Sequence, residues 1–302
     1  MQPGHTKTKP AWVKRWFNQE ALTAYLFLIP SLIGFIVFYA VPFIRGFIVS
    51  FTNWDMLQEP QYVGLLNYSR LIQDPDFWNA LKVTSLYVLW NIPIQTAIAL
   101  LIAVMMDRLT HSNILRGVLV LPWLMPNVVV ALLWLWLMDP TLGVINTLIK
   151  WMGFQSIPFL GSPALAIPSI AAINIWRHMG YSALLIFAGL QTIDHTLYEA
   201  GSVDGANESQ LFWGITLPLL RPVLAFVLVT SIIGSFQIFD TVAITTKGGP
   251  VNATKVINWL IYEQAFVRFN MGYATAISVV LFLILVVVSL MQMRLMRAGE
   301  VD

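Results

Sequence analysis

The residues best placed to do chemistry lie inside two apolar stretches of the chain. Asn174, His178 and Tyr181 stand at i, i+4 and i+7, and so share one face of a helix. Ser231 and Ser235 repeat by four on a second stretch, with Gln237 close by. Amide, imidazole and hydroxyl groups beside an aromatic ring, Tyr181 or Trp176, suit a hydroxyl-rich solute. The same groups also serve as glue between membrane helices, where Ser and Asn commonly bond a neighbour, and both readings stay open. Other chemistry is excluded by what the sequence lacks. It has no G-x-x-x-x-G-K-[ST] phosphate loop, and Gly248-Gly249-Pro250 reads more simply as a turn. His5, His111, His178 and His195 form no H-E-x-x-H metal site, and there are no cysteines. The apolar stretches contain no Asp or Glu for a proton relay, Asp240 at the end of one coming closest. No catalytic residue, metal site or bound cofactor is therefore expected, and transport by this chain would need an outside motor.

The elements that must position these residues are membrane helices. Of 302 residues 58% are hydrophobic and only 11% charged, against about 25% charged in a soluble domain, and the mean hydropathy is +0.73. A bilayer-crossing helix needs about 20 apolar residues. Six runs supply them: 21–44, 83–106, 117–138, 167–190, 219–239 and 271–293. The expected fold is therefore an all-α integral membrane protein of six transmembrane helices, with a polar segment 1–20, one transmembrane domain over 21–297 and a short tail 298–302. Trp12, Trp16, Trp54, Trp151, Trp259, Tyr262 and Tyr273 fall near run ends, as an interfacial belt would. The fourth run is the least regular, because Asn174, Arg177, His178 and Tyr181 sit in its middle. A surface helix is the alternative there, and parity of the remaining runs favours a span.

Lys7, Lys9, Lys14 and Arg15 precede the first run and read as a cytoplasmic anchor. With both termini inside, Arg108, Arg116, Arg221, Arg294 and Arg297 are cytoplasmic too. A net charge of +2 with no basic block makes nucleic acid an unexpected partner. The lipid bilayer is the first partner. Arg177 is expected either to pair with Asp240 or to snorkel.

Between the fourth and fifth runs lies a polar loop, 191–218, on the cytoplasmic side in that orientation. Thr196, three residues before Glu199, suits a capping box. Asp204-Gly205 signals a turn, Asn207 suits a second cap, and Leu211, Phe212, Ile215 and Leu217 offer an apolar side. Two short helices about a rigid turn make a shape that docks in a groove of another protein. A plain loop lying on the membrane is the alternative.

Glu199-Ala200-Gly201, then Gly205, then Ile215-x-Leu217-Pro218 resembles the EAA loop of ABC-importer permeases at matching spacing. Gly201 stands where that family usually has Ala. Asp204-Gly205-Ala206, the stretch FDTVAITTKGGPVNAT from Phe239 to Thr254, and MGYATAISVVLF from Met271 to Phe282 resemble its carbohydrate-uptake, maltose-type branch, with Thr245 where Leu is usual. The resemblance implies that the loop is a coupling helix-turn-helix, with Glu199, Ala200, Gly201, Asp204, Gly205, Ala206, Leu217 and Pro218 serving a separate ATPase subunit. It implies a second permease, two ATPase chains that hold ATP and Mg, an extracytoplasmic solute-binding protein facing the loops after the first and fifth runs, and a bacterial or archaeal cytoplasmic membrane. The implied cargo is a sugar or oligosaccharide. Glycerol phosphate or an acidic oligosaccharide on the same architecture, and a stand-alone channel or secondary transporter, are the alternatives.

Overall fold

A computed structural model of the chain describes residues 19–109 and 112–297. The basic N-terminal anchor with Trp12 and Trp16, His5, His111 and the tail 298–302 lie outside the described residues. Among those described there is no strand, only an isolated bridge between Thr52 and Tyr62. Helix α1 (Gln19–Phe35) passes through a π-helical turn, Ile36–Ala40, into α2 (Val41–Val49). Then come α3 (Leu66–Gln73), the long α4 (Pro75–Leu109), α5 (Asn113–Leu124), α6 (Asn127–Leu137), α7 (Val144–Trp151) and α8 (Ala166–Leu190). Two short helices, α9 (His195–Val203) and α10 (Glu208–Leu211), lead through a second π turn, Phe212–Thr216, into α11 (Arg221–Phe236). α12 (Asp240–Thr245), α13 (Ile257–Tyr262), a third π turn, Glu263–Val267, and α14 (Met271–Arg297) complete the order.

Every apolar run of the sequence is helical, but two depart from the expected straight span. The third run breaks at Met125-Pro126, and α5 and α6 meet there at 92°. Proline holds the residue before it extended, and Met125 sits at φ −71°, ψ 140°. The fourth run, α8, is too polar at its centre to pass a test of length and apolarity. That test selects Thr23–Val49, Pro75–Leu109, Arg221–Thr245 and Met271–Arg294 among the described residues, with a fifth if the bent pair α5 and α6 is one broken span and not a re-entrant loop.

α8 is no surface helix. It lies at the centre of the fold, packed along α4 and crossed by α5 and α11, with Ile170, Ile173, Ala183 and Ile186 fully buried. Ala99 and Ala103 of α4 meet Ala183 of α8 in a core that Leu220, just before α11, and Leu224 and Val227 of α11 complete. Small residues let membrane helices approach closely. The tightest crossing is at Gly180, where an added Cβ would sit 1.7 Å from the Leu119 carbonyl oxygen of α5.

Prolines also place two of the π turns. Pro42 and Pro218 have no N–H for the carbonyl four residues back. The residue before each, Val41 and Leu217, instead donates to the carbonyl five residues back, of Ile36 and Phe212. One expected interfacial ring is interior: Tyr273 is buried, its hydroxyl donates to Asp74, and the Arg70 guanidinium lies 4.3 Å above its ring.

Candidate functional site: a polar cavity tied to a capped loop

The centre of the bundle holds a cavity of about 260 Å³ between α4, α8, α11 and the α5–α6 break. All five residues singled out in the sequence, Asn174, His178, Tyr181, Ser231 and Ser235, line it. The helical spacing put each set on one face, and packing turned both faces inward. Asn174 donates to the Ile170 carbonyl at 2.9 Å and to the Thr241 hydroxyl at 3.4 Å. Tyr181 stacks on Trp123 with centroids 4.3 Å apart and planes 7° from parallel. Trp176, the other aromatic candidate, faces away and packs edge-on against Trp134. Its place is taken by Trp123, supplied by the last turn of α5.

The third wall comes from α4, whose contribution went unread in the sequence. Tyr87, Asn91 and Gln95 line the cavity at i, i+4 and i+8, the same spacing rule that exposed the α8 stripe. Asn91 donates to Ser235 Oγ at 3.0 Å, and Gln95 to Ser182 Oγ at 3.1 Å and Ser231 Oγ at 3.5 Å. The serines therefore join helices, and they do so on the wall of a cavity. Asn91 Oδ1 is buried without a hydrogen-bond partner, an unmet acceptor beside that space.

Arg177 forms no ion pair with Asp240, contrary to one of the two expectations. Its Nη2 donates to the carbonyls of Trp123 and Met125, at 3.2 and 3.0 Å. These carbonyls lie at the helix break, at the C-terminal end of α5, where the last carbonyls of a helix have no intrahelical donors. Nη1 donates to His178 Nε2 at 3.0 Å, and His178 Nδ1 donates to the Asn174 carbonyl at 2.9 Å. An arginine can only donate and a carbonyl can only accept, so the imidazole is neutral with its proton on Nδ1. Asp240 meanwhile accepts from Asn127 at the start of α6, at 2.7 Å. The broken helix is thus held from both sides by residues that line the cavity.

The loop 191–218 is built as two helices with defined caps. The first cap differs from expectation: Asp194, not Thr196, caps the N-terminus of α9, accepting from the Thr196 N–H at 2.9 Å. That N–H holds the Asp194 carboxyl below its usual range. α9 closes in a Schellman turn. Ala206 N–H reaches the Gly201 carbonyl at 2.9 Å, Gly205 N–H reaches that of Ser202 at 3.1 Å, and Gly205 takes φ +82°. Asn207 then caps α10 in a reciprocal box with Gln210, at 3.0 and 2.8 Å. Gly201 has a packing reason, since a Cβ there would come within 2.7 Å of Leu211 Cδ2.

Glu199, Ala200, Asp204 and Gly205 are exposed on the loop, whereas Gly201, Ala206, Leu217 and Pro218 are half-buried beneath it. Ile215 and Leu217 pack against the core of α4, α8 and α11, and Leu211 is buried beneath the loop. Arg108 pairs with Glu208, and Gln191 donates to Asp107, fastening the loop to the foot of α4. From Tyr181 to the end of α8 is nine residues, about 14 Å of helix. The cavity and the loop thus hang on the same helices.

A helical membrane bundle with an internal polar cavity and a rigid exposed loop on its supports is a transport architecture. Residues 95–298 match the family of binding-protein-dependent transport system inner membrane components, and the chain belongs to that family. It is 34% identical over 289 residues to the probable ABC transporter permease protein YurN of Bacillus subtilis, covering 94% of this chain and 99% of that protein. It is 31% identical to the trehalose/maltose transport system permease protein MalF of Thermococcus litoralis, covering 92% and 95%. The fold matches a chain of a bacterial ABC transporter involved in the import of alginate, with a TM-score of 0.84 at 23% identity, over 97% of this chain and 100% of that one. The chain is accordingly a multi-pass membrane permease subunit, not an enzyme.

Proposed function

We propose that this chain is one permease of an ABC importer for a sugar or oligosaccharide, and that the cavity between α4, α8 and α11 is part of the cargo's path. It works with a second permease, two ATPase chains that bind ATP and Mg, and an extracytoplasmic solute-binding protein. Six spans cross the cytoplasmic membrane over residues 21–297, α5 with α6 forming the third and α8 the fourth. The segment 1–20 and the tail 298–302 lie in the cytoplasm. The observation that carries this reading is the shared support of cavity and loop.

Glu199, Ala200, Gly201, Asp204, Gly205 and Ala206 form the coupling element. Glu199 presents an exposed carboxylate to a basic groove of the ATPase, and Gly205 permits the turn. Leu217 and Pro218 anchor the element in the membrane core. A pull on α9 reaches Asn174, His178 and Tyr181 through α8, and Ser231 and Ser235 through α11, because packed helices move as rigid bodies. Trp123 and Tyr181 offer faces to a sugar ring, and the amides and hydroxyls offer hydrogen bonds. One observation favours the acidic-cargo reading: Arg177 lines the cavity. Its Nη atoms are occupied by protein acceptors and Asp240 lines the same space, so a neutral sugar fits better.

Co-purification of the C-terminally tagged chain in mild detergent tests this reading. Native chain should bring down an ATP-hydrolysing partner, and a Glu199→Ala, Gly205→Pro double variant should not. If both bring down the same active ATPase, the loop does not hold the motor. If neither does, under conditions that preserve complexes, a stand-alone transporter becomes the better account.

A further inference from the structure

We propose that the seam between α2 and α14 is a binding site for an anionic phospholipid, with an acyl chain in the seam and the headgroup phosphate on Arg45. This goes beyond the transport reading and does not depend on it. A groove of about 520 Å³ runs between Phe43 and Phe47 of α2 and Val279, Phe282 and Leu283 of α14. It is continuous with a second hollow of about 440 Å³ through the shared residues Pro42, Gly46 and Thr275. Arg45, Trp54 and Pro60 stand at that second hollow.

The groove asks for an apolar occupant. Its two hydroxyls are satisfied by their own helix: Thr275 donates to the carbonyls of Met271 and Gly272 at 2.9 Å, and Ser278 to that of Ala274 at 3.0 Å. Gly46 forms an open floor, for nothing lies within 4 Å of an added Cβ. Both walls belong to stretches apolar enough to cross a membrane, Thr23–Val49 and Met271–Arg294, so acyl chains are the surrounding solvent.

The mouth asks for an anion. Arg45 is exposed, within the apolar stretch Thr23–Val49, and has no hydrogen-bond or ion-pair partner among the described residues. A guanidinium close to hydrocarbon is costly without a partner, and its planar fork matches phosphate oxygens. Asp55, the nearby acid in sequence, is occupied with the Leu57 and Gln58 N–H groups. Trp54 is the residue type that settles at the headgroup level. An apolar channel ending in an unpaired cation and an indole matches a phospholipid from tail to phosphate. In the proposed orientation the lipid belongs to the outer leaflet.

The test uses the complete transporter, purified with its partner chains and placed in nanodiscs. These carry a phosphatidylglycerol or a phosphatidylcholine with a photoreactive acyl chain, and labelled peptides are mapped by mass spectrometry. Labelling should concentrate on 43–47 and 278–283. Arg45→Gln should cut phosphatidylglycerol labelling about fivefold, the roughly 1 kcal/mol expected of one cation on an anionic lipid, and leave phosphatidylcholine labelling nearly unchanged. Gly46→Phe should cut both, with ATP hydrolysis retained as evidence of a folded complex. Labelling no stronger here than on α1 would mean ordinary annular lipid and overturn the proposal. Because the chain has no cysteine, Phe282→Cys supplies a single thiol. Its cross-linking to the partner permease would show a protein helix in the seam, and would overturn the proposal too.

Discussion

The stretch Thr23–Val49 and helix α8 are opposites. The most apolar window of the first has a mean hydropathy of 2.3, and none of that window is buried in the chain. The second carries Asn174, Arg177 and His178 at its middle and has fifteen of its residues buried. A hydropathy scan ranks Thr23–Val49 among the surest spans and α8 as the most doubtful. The difference teaches that apolarity in a membrane chain reports contact with lipid. A helix surrounded by other helices is free to be polar wherever those helices supply partners.

The largest expected effect comes from glycines. Gly180→Leu in α8 would drive a side chain into the Leu119 carbonyl and push α5 away. We expect a loss of about 3 kcal/mol or more, seen as loss of folded chain in membranes by size-exclusion profile. Gly34→Leu in α1 meets nothing within 4 Å and should leave that profile unchanged. Equal damage at both positions would break the contrast.

Arginines come next. Arg177→Met strips two carbonyls at the helix break of their donor, at a cost of about 2–4 kcal/mol. The unfolding midpoint in detergent should fall accordingly. Arg45→Gln removes no protein contact and should stay within about 0.5 kcal/mol, its effect being on lipid instead. A smaller step is Gln95→Leu. Its bonds to Ser182 and Ser231 join α4 to α8 and α11, and interhelical bonds in membranes are worth about 0.6–1.7 kcal/mol. A midpoint that rises in Gln95→Leu would show that the polar lining is kept for the cavity at a cost in stability.

These pairs also mark what was legible in the sequence. The positions of the helices could be read, because apolar runs of span length have few other uses in a chain with so little charge. The α8 and α11 stripes could be read from spacing, and the turn at Gly205 from the Asp204-Gly205 pair. The bend between α5 and α6 could not, since Pro122 sits within α5 without breaking it while Pro126 ends it. A helix end in the membrane needs donors for its last carbonyls, and here Arg177 supplies one to Met125 from 52 residues away. The choice of Asp194 over Thr196 as cap was not legible either, both residues being able to cap. Asn91 and Gln95 were readable by the i, i+4 rule, but in a run that otherwise looked lipid-facing.

Acid should expose the smallest contrast, between two carboxylates outside the spans. Glu263 follows α13 and is pulled two ways. Burial raises its pKa, but Lys255 at 3.0 Å and Arg268 at 2.6 Å outweigh that and hold it below 4.5. A carboxyl whose folded pKa is depressed contributes stability above its unfolded value, and loses it as pH falls through the folded one. Lys255 is itself buried and also bound to Asp76 at the head of α4, so protonating Glu263 loosens the joint between α4 and α13. Asp55, on the loop after α2, is held low as well, through the N–H groups of Gln58 first and Leu57 second. It is half-buried but grips only its own turn, so its protonation should not reach the bundle. The unfolding midpoint should therefore drop below about pH 4, with Glu263→Gln flattening that drop and Asp55→Asn leaving it in place. The reverse assignment would mean that the Lys255 cluster does not couple the helices it touches.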